Sequence, residues 1–164
     1  MEPITLFGDA VMTTTRWHNL AILDYRGQWT FDHIEQIARL YREIFAEHRT
    51  AACIAIAAPG THMSSPRVNS KAAELVKQLG NKVTQSVVVV EERGPLAAMQ
   101  RGVIRTVNVL AGHSNIRVAS TVAEAVPLLA PHILGSDGRS VSELQLTGII
   151  RRVRERFDGG VRIP

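Results

Sequence analysis

Hydrophobic and polar positions change their period several times along the chain. Between residues 3 and 25, three short apolar or Thr-rich runs (4–7, 11–14 and 20–25) are separated by Gly8-Asp9 and by the polar stretch 16–19. Such runs around a Gly-Asp pair predict two or three short strands with a hairpin. From residue 31 to 48 the period becomes helical. Ile34, Ile37, Ala38, Tyr41, Ile44 and Phe45 form one stripe, and Thr30 stands where an N-cap belongs. Residues 51–58 are then almost wholly apolar and stop at Pro59-Gly60. A run without alternation between polar and apolar predicts a strand buried on both faces, as in a parallel sheet.

The alternation of strand and helix continues. Ser65-Pro66 opens a second helix, with Ser as cap and Pro at the first helical position. Val68, Ala72, Leu75, Val76 and Leu79 form its inward face, and Gly80 closes it. Residues 86–90, Ser-Val-Val-Val-Val, are the clearest strand. A third helix spans about 95–111. Leu96, Met99, Val103, Val107 and Leu110 make one stripe, with Ile104 and Val109 off it, which predicts burial on two sides. Residues 116–119 form a short strand. Thr121 and Glu124 make a capping box for a fourth helix, which Pro127 should bend or shorten. Gly135-Ser136-Asp137-Gly138 reads as a linker. Ser140 and Glu143 then open a fifth helix with Leu146, Ile149, Ile150, Val153 and Phe157 on one face.

This order predicts an α/β fold, with a mostly parallel central sheet of about five strands and helices on its faces. Residues 1–134 form the domain. Residues 135–164 add a linker and an amphipathic C-terminal helix, packed on the domain or on a second subunit.

The β-β-α-β-α-β-α-β-α order over about residues 4–133 resembles the STAS superfamily (sulfate transporter and anti-sigma-factor antagonist), in its SpoIIAA-like branch. The resemblance rests on that order, on the buried strands at 51–58 and 86–90, and on Arg101-Gly102-Val103 in the third helix. It implies a regulatory module that switches a partner. Antagonists of this kind carry an Asp followed by the phosphorylated serine just before the second helix. Here Met63-Ser64-Ser65-Pro66 occupies that place, so Ser64 and Ser65 become the candidate acceptors and the Asp is absent.

Composition narrows the function only a little. With 164 residues, 45% hydrophobic and 21% charged, the chain can bury a core without disulfide or metal. Sixteen of the 19 basic residues are Arg, which suits phosphate contacts, but a net charge of +4 spread along the chain is too weak to imply nucleic acid. Cys53, the only cysteine, lies in an apolar run and reads as a buried thiol. The N-terminus has no signal-peptide pattern and no apolar run approaches ~20 residues, so the expectation is a cytoplasmic chain without a membrane span.

No glycine-rich nucleotide loop, zinc-protease helix or nucleophile-elbow motif is present, and the six histidines lack metal-ligand spacing. No catalytic residue, cofactor or metal is therefore expected. Ligands of open parallel sheets bind beyond the carboxyl ends of the strands. That rule selects four loops and, in them, Gln28, Trp29, Thr30, Thr61, His62, Arg93, Ser120 and Thr121. Loop 59–65 leads into a helix N-terminus, where backbone N–H groups favour an anion or a phosphoserine. The alternative is that Ser65 only caps the helix and Ser64 is solvated. An acceptor there should be the more exposed Ser64, with Ser65 tied to a backbone N–H. Trp29 is either a hydrophobic staple on Ile34 or an exposed partner contact.

Three function classes stay open. The leading one is a non-enzymatic regulatory or protein-interaction module switched at a serine. The alternative is a domain for a small apolar or lipid-like ligand, held between the sheet and the third helix. The outsider is a hydrolase-like enzyme using the His62 and Ser64 loop. A deep, closed apolar cavity would favour the second. Leu96, Met99, Val103 and Val107, with Ile149, Ile150, Val153 and Phe157, offer more apolar surface than one layer needs, which predicts a homodimer.

Overall fold

The computed structural model describes residues 1–61, 64–111 and 115–159; in the third helix, the side chains of residues 103 and 105–111 lie outside that description. Six strands form one sheet in sequence order: β1 (Ile4–Gly8), β2 (Met12–Trp17), β3 (Leu20–Tyr25), β4 (Ala51–Ala57), β5 (Val83–Val90) and β6 (Ile116–Ala119). The sheet has one strand more than expected because all three N-terminal runs are strands. β1, β2 and β3 pair antiparallel, whereas β3 to β6 are parallel. Asp9 fixes the first turn by accepting the backbone N–H groups of Val11 and Met12 at 2.7 and 2.8 Å.

Five helices complete the layers: α1 (Phe31–Glu47), α2 (Pro66–Leu79), α3 (Pro95–Ala111), α4 (Val122–Leu129) and α5 (Glu143–Asp158). Thr30, Ser65, Thr121 and Ser142 each accept a backbone N–H from the first turn of the helix they precede. Pro127 lies inside α4, which stops after eight residues and continues as a single tighter turn at Ala130–His132.

The two faces of the sheet are packed differently. One carries Leu20, Ile22, Ala52, Ile54, Ile56, Val87 and Val89 against Val126 and Leu129 of α4 and Leu146, Ile149, Ile150 and Val153 of α5. The other carries Ala21, Leu23, Ala51, Cys53 and Ala55 against Ile34, Ile37, Leu40, Tyr41 and Ile44 of α1 and Val68 of α2. α5 is thus part of the main core. Asn19, in the β2–β3 turn, holds the segment leading to it: its amide donates to the His132 carbonyl, and its side-chain oxygen accepts the Leu134 N–H, both at 3.0 Å.

The third helix turns a different face inward from the stripe its sequence suggests. Ala97 and Gln100 are buried, while Met99 is 52% exposed and Leu96 half-buried. Val103 and Val107 fall among the side chains outside the description. On the inward face the Gln100 amide donates to the Thr61 carbonyl at 2.7 Å, a long-range bond that holds this face toward the sheet.

A chain ending at Leu134 would lose the four buried α5 side chains, roughly 6–12 kcal/mol of apolar burial, comparable with a whole domain's stability. Light scattering of the truncated chain should report aggregation. A soluble truncation that melts like the full chain would show that α5 covers nothing of consequence.

Candidate functional site

The alternation of residue sizes in β4 creates the site. Its Ile54 and Ile56 point to α4 and α5, and Cys53 and Ala55 point the other way. Small side chains at the centre of the sheet cannot reach the helices above them. The result is a cavity of about 220 Å³ between the sheet and α1, α2 and α3. Ala72, Leu75, Val76 and Leu79 of α2 line it and stay only half-buried, because space rather than packed protein lies beneath them.

The cavity has unlike ends. At the carboxyl ends of β3, β4 and β5 it is walled by Tyr25, Trp29, Thr61, Ser64, Asn69 and Gln100. Toward the amino ends of β5 and β6 it is walled by Val76, Leu79, Ile104 and Ile116. The polar end is held by hydrogen bonds. The Thr61 hydroxyl meets the carbonyls of Ala58 and Tyr25 at 2.6 and 3.1 Å. The Ser64 hydroxyl oxygen accepts the Trp29 N–H at 3.0 Å, and the Asn69 amide donates to the Ser64 carbonyl at 3.2 Å. The Trp29 and Tyr25 rings pack edge-on with centroids 4.8 Å apart. Two atoms of this end, Trp29 Nε1 and Gln100 Oε1, are buried with no hydrogen-bond partner among the described residues.

No charged side chain lines the cavity among the described residues. Burial pushes the Cys53 thiol up to about 11, and burial also holds the Tyr41 phenol well above its ordinary value. Both groups are neutral near pH 7, so the cavity contains no thiolate nucleophile.

Of the residues singled out from sequence, the structure brings Trp29, Thr61 and Ser64 together. The two serines exchange the exposures expected of them: Ser64 is half-buried and Ser65 exposed. The reason is the Trp29 N–H, which draws the Ser64 hydroxyl inward. Ser65 caps α2, accepting the Val68 N–H at 3.4 Å. Thr30 and Thr121 are exposed caps of α1 and α4. Gln28, Arg93 and Ser120 are exposed in separate loops, and Ser120 receives Arg101 at 3.4 Å. His62 lies outside the described residues. Ile149, Ile150 and Val153 are spent in the chain's own core, and Phe157 lies under the Arg26 guanidinium at 4.1 Å.

Sequence reasoning missed Tyr25, Asn69 and Gln100. It also missed a polar cluster on the opposite face of the sheet. Asp24, in β3 beside Ile56, is 0% exposed. Arg154 of α5 lies 3.4 Å from its carboxylate and Arg26 lies 3.8 Å away. Arg154 also grips Glu91 through two bonds of 2.7 and 2.8 Å, and Arg26 pairs with Asp158. Burial raises the Asp24 carboxyl to about 6, against the opposing pull of Arg154 and Arg26. The available signal was an acid inside the apolar run Leu20-Ala21-Ile22-Leu23-Asp24.

No protein-family model matches the chain, and no curated protein matches it. Among solved structures it is similar to an uncharacterised protein from the DUF3478 family with a SpoIIAA-like fold, from Shewanella loihica PV-4. The TM-score is 0.54 at 14% identity, over 73% of this chain and 92% of that one. At this identity the likeness establishes the fold. The chain has the SpoIIAA-like α/β architecture that its order of elements implied, and no described helix is long and apolar enough to cross a membrane.

Asp24 makes the pH dependence of stability specific. Its carboxyl is raised in the folded chain above the unfolded value of 3.8, so the folded state holds the proton more tightly. The resulting stabilisation is complete below about pH 4 and is lost as pH rises through about 6. The loss is on the order of 3 kcal/mol. Urea unfolding between pH 4 and 8 should show that slope in the wild-type chain and its absence in Asp24→Asn.

Proposed function

We propose that this chain is a SpoIIAA-like module that binds a small, mainly apolar molecule in the cavity between its sheet and α1, α2 and α3. The observation that carries this reading is the cavity itself. Apolar walls left without packing partners around about 220 Å³ forgo contacts that a bound molecule would restore. An engineered cavity of about 150 Å³ accepts benzene, so this one suits a molecule of about eight to ten non-hydrogen atoms. Its small central residues, Cys53, Ala55 and Ala57, keep the space open from the sheet side. Its polar end reaches the carboxyl ends of β3, β4 and β5, where open α/β sheets take ligands.

The chemistry of the walls favours binding over turnover. The Ser64 oxygen is engaged by a backbone N–H, and no carboxylate or imidazole joins it among the described lining residues. Burial of Ile149, Ile150 and Val153 in the chain's own core weighs against self-association through α5. The regulatory role implied by the SpoIIAA-like fold fits the same place. The Trp29–Ser64 bond joins the loop before α1 to the loop before α2, so a molecule seated beneath it alters the edge that a protein partner would read. A switch at serine has one supporting feature, the exposed Ser65 hydroxyl at the start of α2. Intact-mass measurement of protein from its native host should detect a phosphate if that switch operates.

Calorimetric titration of the full chain with n-butylbenzene tests the main reading. Saturable binding is expected, with a stabilisation of about 2.7 kcal/mol at a hundredfold excess over Kd. Ala55→Leu extends a side chain into the cavity and should weaken that binding at least tenfold without lowering the melting temperature. Absence of binding to the wild-type chain, with a lowered melting temperature in Ala55→Leu, would mean that the space is packed in solution.

A further inference from the structure

The cavity's polar end carries a donor and an acceptor that no described residue uses. Trp29 Nε1 can only donate, and Gln100 Oε1 can only accept. Both atoms are closed to water and have no partner among the described residues. The identity of the Gln100 oxygen is fixed by its other end, because only the amide nitrogen can donate to the Thr61 carbonyl at 2.7 Å. Gln100 is 93% buried, being 7% exposed. Buried polar groups are almost always paired, and an unpaired one is a specific cost. Of the buried unpaired atoms among the described residues, these two are of opposite kind and both belong to residues lining one end of one cavity.

We infer that the cavity's ligand is amphipathic, with an uncharged hydroxyl head at the Trp29–Gln100 end and an apolar tail running toward Leu79 and Ile116. This rests on the apolar-ligand reading above. A hydroxyl is the smallest group that accepts one hydrogen bond and donates another from a single atom. It can therefore accept from the indole N–H and donate to the amide oxygen. An anionic head would be desolvated with no cation among the described residues of the cavity wall, which buried charges do not tolerate. A purely apolar molecule would leave both atoms unpaired. The tail's course follows from the lining, which changes from Trp29, Thr61 and Gln100 at one end to Val76, Leu79 and Ile116 at the other. Because neither polar atom is open to water, the head reaches them through a rotation of the indole and a displacement of the side chains around the Gln100 oxygen, with the amide N–H kept on the Thr61 carbonyl.

The test compares four probes on the full chain by calorimetry at neutral pH: 1-octanol, heptyl methyl ether, octanoate and n-butylbenzene. The alcohol should bind about tenfold tighter than the ether, which can accept but not donate, and octanoate should be the weakest. Gln100→Met should lower the affinity for 1-octanol about tenfold and leave that for the ether unchanged. Trp29→Phe should weaken both relative to n-butylbenzene, which reports packing alone. Melting curves identify a variant that fails to fold, and the ranking of probes on the wild-type chain then decides. If n-butylbenzene binds but the alcohol is no tighter than the ether, or octanoate is tightest, the hydroxyl inference is overturned and the apolar-ligand reading stands. If no probe binds, both fall.

Discussion

Everything distinctive in this molecule depends on the unequal faces of its central strand. β4 runs between two parallel neighbours and is buried along its whole length. Toward α4 and α5 it presents Ile54 and Ile56, which fill the space to the helices. Toward α1 and α2 it presents Cys53 and Ala55. Sheet and helix cannot approach much closer than their larger side chains allow, so where the strand's residues are small the layer stays open. The first face has become a close-packed core with α5 built into it. The second has become a roof over a cavity.

That division separates stability from binding. The densely packed side holds the largest fully buried residues of α4, α5 and the segment between them, among them Leu129, Ile133, Leu146 and Ile150. It can sustain the cost of an open space on the other side. The polar cluster of Asp24, Arg154 and Glu91 belongs to the packed side as well. It ties α5 to the carboxyl ends of β3 and β5 with one bidentate pair, at the expense of a carboxylate deprived of water. The turn at residues 135–138 is likewise defined rather than slack. The Gly135 N–H meets the Arg139 carbonyl at 2.8 Å, Gly138 supplies a φ of 74°, and Leu134 bridges Ser140.

The periodicity of the sequence carried the elements and their order, because α1, α2, α4 and α5 each have a cap and a stripe and each strand its run. What it did not carry is whatever depends on a distant partner. Gln100 was an unremarked polar residue in an apolar helix until the Thr61 carbonyl, 39 positions earlier, oriented it. Ser64 looked like the exposed member of its pair because the Trp29 N–H that binds it belongs to another loop. Arg154 has partners that no spacing along α5 reveals, Asp24 on β3 and Glu91 just past the end of β5. The cavity is an intermediate case. The alternation of Ala or Cys with Ile in residues 51–57 is visible on the page. A binary reading of apolar against polar merges the two kinds, and only side-chain volume separates them.

An open apolar space also gives the molecule a mechanical character. Unfolding lets water into volume that the folded chain withholds, so hydrostatic compression favours the unfolded state in proportion to the void removed. A cavity of about 220 Å³ adds to a volume change that for globular proteins is roughly 20–100 mL/mol. Compression should therefore act on this protein mostly through one face of its sheet. The α4 and α5 side, already dense, has little volume to surrender, and a molecule seated under α2 and α3 would remove most of what the other side has to lose.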